Sequence, residues 1–393
     1  MTTASAKAPA GATIGIDASN LRGGGGITHL VNLLLECRPT RDGVDRVVVW
    51  APPATLDAVP SRTFIDKAGH PLLGSGPFGR WVFQRRVLPE LALRAGCDVL
   101  FCPGGTVPGR IRVPTVTMYR NSLTFQGEEL RRFRPWSVSR FKLEILRRLQ
   151  RRSLAAADGV IVLSNHAMEL VRKQGIHHEM VRIPHGVQDR FRAPPAGARS
   201  QFGRRILYVS SVAAYKHQWN VVEAVALLRT RGHDVTLRIV GPVIDRASAR
   251  RMKAALNRFD ASGEWASFEG PADYERLHEE YGAADIFVFA STCENMPNTL
   301  LEAMASGLPI VSSASGPMPE IAIDSVLYAD PEDPVSLAVR LAEILTNPDL
   351  AAELRRKAQE RAEDFTWSRT AAETFRYLVE IAEASTASGA APR

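Results

Sequence analysis

Two carboxylates, Glu294 and Glu302, bracket a loop in the stretch CENMPNTLLEAMASG (residues 293–307), which lies between the apolar runs DIFVFAS and PIVSSAS. The pattern reads as strand, loop, helix, strand, with the acids flanking the start of the helix. A helix N-terminus carries unbonded amides and a partial positive charge, so it suits an anion such as a diphosphate. The amides of residues 298–300, around Asn298 and Thr299, are the expected phosphate contacts, and the two carboxylates would accept hydrogen bonds from sugar hydroxyls. The tetrad Thr299-Leu300-Leu301-Glu302 also fits the S/T-x-x-E capping box, in which Thr299 caps the helix and Glu302 reaches back to an amide. Capping accounts for Glu302 and leaves Glu294 without a role.

Two further turns carry chemistry. In YVSSVAAYKHQWNVVEAV, Lys216 and His217 stand just before a helix, where the macrodipole disfavours cations unless an anion binds there; the plainer reading is a surface lysine in a loop. In NLRGGGGITHL, Gly23, Gly24, Gly25 and Gly26 permit close backbone approach to a ligand, or make a flexible turn. As a dinucleotide fingerprint this loop is poor: Thr28 stands where a third glycine belongs, and the strand RVVVWAPP ends without a ribose-binding acid. No D-x-D motif and no metal-ligand spacing occurs, so the sequence demands neither a metal nor a cofactor.

These turns need a scaffold. At 393 residues the chain suits two domains, and 45% hydrophobic with 23% charged residues is a globular balance. No apolar run approaches the ~18–20 residues that span a bilayer. The first residues lack the apolar core of a signal peptide, and residues 1–12 and 385–393 read as disordered. Cys37, Cys97, Cys102 and Cys293 show no paired spacing, which fits buried free thiols and a cytoplasmic setting. A net charge of +7 favours anionic partners.

Buried-strand runs alternate with helical patterns: ATIGIDAS, RVVVWA, DVLFC, PTVTMY, GVIVLS and MVRIPHGV, then RILYVSS, VTLRIVG, ASFEG, DIFVFAS and PIVSSAS. Between the two series, DRFRAPPAGARSQFGRR has no apolar period and reads as a linker over 191–204. The reading is therefore α/β: two doubly wound Rossmann-like domains facing across a cleft, 13–190 (completed by a C-terminal helix, 367–384) and 205–366. Ligands of such sheets bind at the carboxyl ends of the strands. Residues 131–152, RRFRPWSVSRFKLEILRRLQRR, hold nine cations against one acid with aromatics interleaved. A helix of this kind docks on an anionic membrane surface or turns its apolar face into its own domain. No nucleic-acid-binding motif accompanies it.

The run STCENMPNTLLEAMASGLPIVSS resembles the E-x7-E signature of the retaining glycosyltransferases of family four (glycosyl transferases group one), which have the GT-B fold. FEGPADYERLHEEYGAADIFVFAS upstream and GPMPEIAIDSVLYADPEDPVSLAVRLAEILTNPDLAAELRRKA downstream resemble the same family, closely in the second half of the chain and loosely in the first. The resemblance implies a nucleotide-diphosphate sugar donor, a glycan or lipid-linked acceptor, and retention of configuration through an oxocarbenium-like state, with domain closure excluding water. It assigns Glu302 to the ribose hydroxyls, Glu294 to the donor sugar, and Lys216 to the donor phosphates. It brings Gly270 and the glycines at 24–26 to the donor side. Ser211 stands where the family has an arginine. Tyr119-Arg120-Asn121 replace a histidine-containing strand end; Arg120 could hold an anionic acceptor or a phosphate, and Asn121 a sugar hydroxyl or its own loop. His185 reads as a packed histidine. The competing readings are a nucleotide-sugar epimerase or a phosphorylase on this scaffold, and a non-catalytic nucleotide-sugar-binding partner.

Overall fold

The computed structural model describes residues 11–109, 111–133, 136–192 and 204–387. The chain divides into two compact units. The first holds Met1–Arg120, Leu143–Gly186 and Trp367–Arg393; the second holds Asn121–Lys142 and Val187–Thr366.

The first unit is built on seven parallel strands: β1 (Ala12–Asp17), β2 (Val44–Trp50), β3 (Ile65–Ala68), β4 (Val99–Cys102), β5 (Thr115–Met118), β6 (Gly159–Val162) and β7 (Met180–Arg182). Their order is β3-β2-β1-β4-β5-β6-β7. Strands β4, β5 and β6 are buried at every residue, as expected of continuous apolar runs covered on both faces. Edge strand β3, IDKA, buries only Ile65 fully and has no apolar run to announce it. MVRIPHGV contributes only three residues of strand, Met180–Arg182, and the Ile183 amide still donates to the Val162 carbonyl at 2.9 Å. The helix Trp367–Ala387 returns to this unit and packs on β1, β4 and the helix Gly25–Glu36. It also lies close over β6, where a Cβ on Gly159 would stand 2.8 Å from the Tyr377 hydroxyl.

The second unit has six parallel strands: β8 (Arg205–Val209), β9 (Thr236–Val240), β10 (Ala266–Phe268), β11 (Ile286–Phe289), β12 (Ile310–Ser313) and β13 (Leu327–Ala329). Their order is β10-β9-β8-β11-β12-β13. Tyr208, Tyr281, Phe287 and Phe289 are fully buried in its core. Gly241, after β9, has φ +144°, and a Cβ there would lie 2.0 Å from the Ser210 carbonyl oxygen. Only glycine lets these two strand ends come so close.

In both sheets the winding reverses at one point, between β1 and β4 and between β8 and β11. The loops leaving those strands diverge there and open a crevice at their carboxyl ends. All four cysteines are buried free thiols, and burial pushes Cys37 and Cys97 up to about 12. The linker read over 191–204 falls largely at 193–203, outside the described residues, as do residues 1–10 and 388–393. The last helix runs to Ala387.

Candidate functional site

The β8 and β11 loops meet at the switch point of the second unit. The Tyr208 hydroxyl donates to the Lys216 carbonyl at 2.6 Å. Gln218 Nε2 donates to the Ser210 hydroxyl and to the Ser211 carbonyl, both at 2.9 Å. The Thr292 amide donates to the Tyr215 carbonyl at 2.9 Å, joining one loop to the other. His217, the residue before the helix Gln218–Thr230, has φ 49°, a left-handed conformation that costs a non-glycine residue on the order of 1 kcal/mol. That kink turns Lys216 away from solvent, and its ammonium pairs with Glu294. Side-chain exposure is 9% for Lys216 and 14% for Glu294. The ammonium also lies 5.2 Å from the Phe289 ring centre and 5.5 Å from that of Tyr215. The bland surface-lysine reading therefore does not hold. His217 is corrected as well: burial, followed by Arg132, pulls it down to about 4, so it stands neutral rather than as a second cation.

Glu302 is not a capping residue. Pro297 takes the N-cap position of the helix Asn298–Ala305, with no side-chain cap bond, and Thr299 lies inside the helix. Proline ahead of Asn298 displaces the box by two residues, and the Glu302 side chain turns into the unit instead. There its oxygens accept from the Tyr274 hydroxyl at 3.2 Å and the Tyr281 hydroxyl at 2.9 Å. Burial raises its pKa to about 7 against the lowering effect of the tyrosine bonds and Arg190. Arg190 pairs with Glu275 and lies 5.1 Å from the Tyr274 ring centre. The phosphate contact expected at residue 300 is also corrected, because the Leu300 amide donates to the Pro297 carbonyl at 3.1 Å. Gly270, at φ +72°, accepts from the Gly241 amide at 2.7 Å.

In the first unit, Asp17 ends β1 and is buried. It accepts from the Ser19 amide at 3.1 Å and from Gln84 Nε2 at 2.6 Å. Burial outweighs those bonds and raises its pKa. Gly24 precedes the helix Gly25–Glu36 at φ 56°, ψ −152°, a conformation open to glycine. Gly26 faces Arg120: a Cβ there would be 3.3 Å from Nη1. His185 is packed, with ring centres 4.9 Å from His29 and 5.6 Å from Trp367. Asn121 groups with the second unit, where its carbonyl accepts from the Thr124 hydroxyl at 2.7 Å.

The structure thus joins Lys216 to Glu294, and Arg120 to the glycine loop. Tyr274, Tyr281, Arg190, Asp17 and Gln84 were not singled out from the sequence. The spacing of Tyr274 and Tyr281, two helical turns apart on one face, was the available signal for that pair. Nothing local announces Gln84, which meets Asp17 across 67 positions.

Two family models tile the chain: "Glycosyltransferase Family 4" over residues 23–191 and "Glycosyl transferases group 1" over 194–363. A D-inositol 3-phosphate glycosyltransferase of Streptomyces scabiei is 28% identical over 242 residues, covering 56% of this chain and 53% of that protein. The chain spans about half the length of such curated relatives. Among solved structures, sucrose-phosphate synthase from Thermosynechococcus elongatus superposes with a TM-score of 0.75 at 20% identity, covering 95% of this chain and all of that one. Anabaena HepE in complex with UDP-glucose gives 0.66 at 18% identity, covering 96% and 100%. The fold is that of these proteins, two Rossmann-like α/β domains of GT-B type.

Proposed function

We propose that this chain, a GT-B-fold glycosyltransferase of the families whose two models tile it, moves a hexose-type sugar from a nucleotide-diphosphate sugar to a glycan or lipid-linked acceptor with retention of configuration. The observation that carries the reading is the buried Lys216–Glu294 pair at the β8/β11 switch point. Lys216 offers a desolvated cation for the charge that develops on the departing diphosphate, where low dielectric makes it count for more than in water. Glu294, once the ammonium turns to phosphate, is left with oxygens to accept sugar hydroxyls. Glu302 accepts the ribose hydroxyls in place of one or both tyrosine donors. In the transfer itself the bond between the anomeric carbon and the diphosphate oxygen breaks, the bond to the acceptor oxygen forms on the same face, and the acceptor proton passes to that departing phosphate oxygen. The chain's own groups carry the phosphate charge, without a divalent ion. Anabaena HepE forms a complex with UDP-glucose, so UDP is the first nucleotide to try.

Thermal unfolding with UDP, GDP, dTDP, CMP or NAD, each alone, tests the donor. A ligand at ~100 times its Kd adds ~2.7 kcal/mol, enough to shift Tm by roughly 5–10 °C in a unit of this size. Stabilisation by one nucleoside diphosphate is the expected result; no shift with any of them removes the donor site as read.

Within the same reading, the acceptor is lipid-linked and met at the cytoplasmic face of a membrane, in surface polysaccharide or glycolipid assembly. The helix Val138–Ala156 supports this. Its buried residues are Gln150, Ser153 and Leu154, whereas Phe141, Ile145 and Leu149, four apart on another stripe, are 67%, 41% and 36% exposed. The alternative, an apolar face serving only as domain core, does not describe that stripe. Lys142, Arg148 and Arg152 lie exposed alongside. Phe78 and Trp81 are also exposed, with Arg85 over the Trp81 ring. Ile145→Asp is expected to cut flotation with phosphatidylglycerol vesicles at low salt about tenfold or more without lowering Tm. Wild-type protein that stays at the bottom of the gradient ends the membrane proposal.

A further inference from the structure

Several surface helices of this protein answer their own arginines. Within one turn, Glu279 pairs with Arg276, Glu343 with Arg340 and Glu360 with Arg356. The fourteen-residue helix Arg246–Phe259, RASARRMKAALNRF, follows β9 in the second unit and behaves differently. It holds Arg246, Arg250, Arg251, Lys253 and Arg258 and not one acid. Its buried residues are Ser248 and Met252, one turn apart on the stripe that meets the unit. Arg246, Arg250 and Lys253 lie roughly 140–200° round the helix from Ser248, at 3.6 residues per turn. They therefore point straight out, in a row about 10 Å long at 1.5 Å per residue, and all three are exposed. None of the three enters an ion pair among the described residues. Arg251 stands outside the row, over the Trp219 ring and 4.2 Å from its centre.

The loop that enters this helix adds a second feature. Val243 and Ile244 are 45% and 61% exposed. The backbone holds them there, because the amides of Ile244 and Asp245 both donate to the Val212 carbonyl, at 3.2 and 3.1 Å. The acid beside them, Asp245, is turned towards the helix, where its carboxylate accepts from the Ser248 amide at 2.8 Å. Two apolar side chains thus stand in water ahead of a row of unanswered cations. Like charges one turn apart repel, and a surface that supplies anions relieves the repulsion. Single-stranded nucleic acid needs aromatic faces on which its bases stack, and the row has none. An anionic bilayer uses both features: cations take the headgroup phosphates, and apolar side chains enter the acyl boundary.

We propose that the second unit has a lipid contact of its own, in which Arg246, Arg250 and Lys253 take the phosphates of an anionic bilayer and Ile244 enters its boundary. The contact rests on the membrane reading above for the presence of a bilayer, but not on the helix Val138–Ala156 or on the sugar-transfer chemistry.

The probe is a phosphatidylglycerol vesicle, with phosphatidylcholine vesicles as the neutral control, and flotation of the full chain at low and high salt is the readout. Each cation near an anionic surface is worth roughly fivefold in binding. Replacing all three by glutamine (Arg246→Gln, Arg250→Gln, Lys253→Gln) is therefore expected to weaken binding about 100-fold and to flatten its salt dependence. Ile244→Asp is expected to weaken it tenfold or more, and neither change lowers Tm, because these side chains are exposed. Ile145→Asp is measured beside them. If Ile145→Asp loses binding while the triple variant floats as wild type does, this contact is overturned and the helix Val138–Ala156 keeps its role. If the triple variant alone loses binding, this contact stands and that helix does not dock. Wild-type protein that binds a single-stranded oligonucleotide more tightly than the vesicles, and loses it in the triple variant, overturns the lipid assignment. Wild-type protein that binds neither overturns the contact outright.

Discussion

Glu294→Gln stops sugar transfer, lowering turnover by about 100- to 1000-fold, the range seen when one group matched to the transition state is removed. The same variant binds the nucleoside diphosphate within a small factor of wild type, because its partners on the phosphates, Lys216 and the helix end, are still present. The substitution keeps volume and takes away charge. In the free protein it leaves the Lys216 ammonium among Tyr215 and Phe289 without its carboxylate. Breaking a buried pair by one partner costs about 3–5 kcal/mol; with 14% of the Glu294 side chain in solvent, the lower end or less is expected. Lys216→Met combined with Glu294→Gln should recover most of that stability and none of the activity. Steady-state turnover, calorimetric nucleotide binding and a stability cycle read the three effects separately. Unchanged turnover in Glu294→Gln sinks the role given to this residue.

The second large effect is at Glu302, and it has opposite signs in stability and binding. A carboxyl raised from 4.5 to about 7 by burial binds more protons in the folded than in the unfolded chain between those values. Its contribution to stability is complete below about 4.5 and is lost as pH rises through about 7, on the order of 3 kcal/mol in all. Glu302→Gln removes that loss. At pH 8 its Tm should exceed that of wild type by several degrees, and the difference should close below pH 5. Affinity for the nucleotide should fall about tenfold or more as the ribose acceptor is weakened. Thermal unfolding across pH 4.5–8.5, with and without the stabilising nucleotide, reads both. A variant with the wild-type pH profile would show that Glu302 is ionised in the folded protein throughout, and the inferred burial cost would be wrong.

The alternation of apolar runs was enough to read two doubly wound sheets, because strands buried on both faces cannot hide their composition. Edge strands could hide it: IDKA and LYA are short, half-exposed and carry no run. The E-x7-E acids were legible as a pair, but their partners were not. Whether Glu302 caps a helix or faces two tyrosines depends on Pro297 displacing the helix start, a three-dimensional outcome that the tetrad TLLE does not record. Lys216 could be read as a phosphate ligand from its place before a helix, yet its pairing with Glu294 spans 78 positions and comes from the sheet order. Likewise, nothing local in the sequence announces that Arg120 lies beside Gly26.

The first unit is assembled from three separate stretches of chain, and that has a consequence for the order in which the protein can be made. Its sheet and most of its helices have left the ribosome by Gly186, but the helix that covers β1 and β4 begins at Trp367, after the 180 residues Val187–Thr366. At about 5–20 residues per second, that interval lasts roughly 10–35 s. During it the apolar face awaiting Phe375 and Leu378, both fully buried in the finished fold, has no cover. The second unit's sheet is complete by Ala329, before Trp367 emerges, so it can fold as an insert before the first unit closes. A nascent chain halted before Trp367 should therefore present a folded second unit and an N-terminal sheet that chaperones can still grasp.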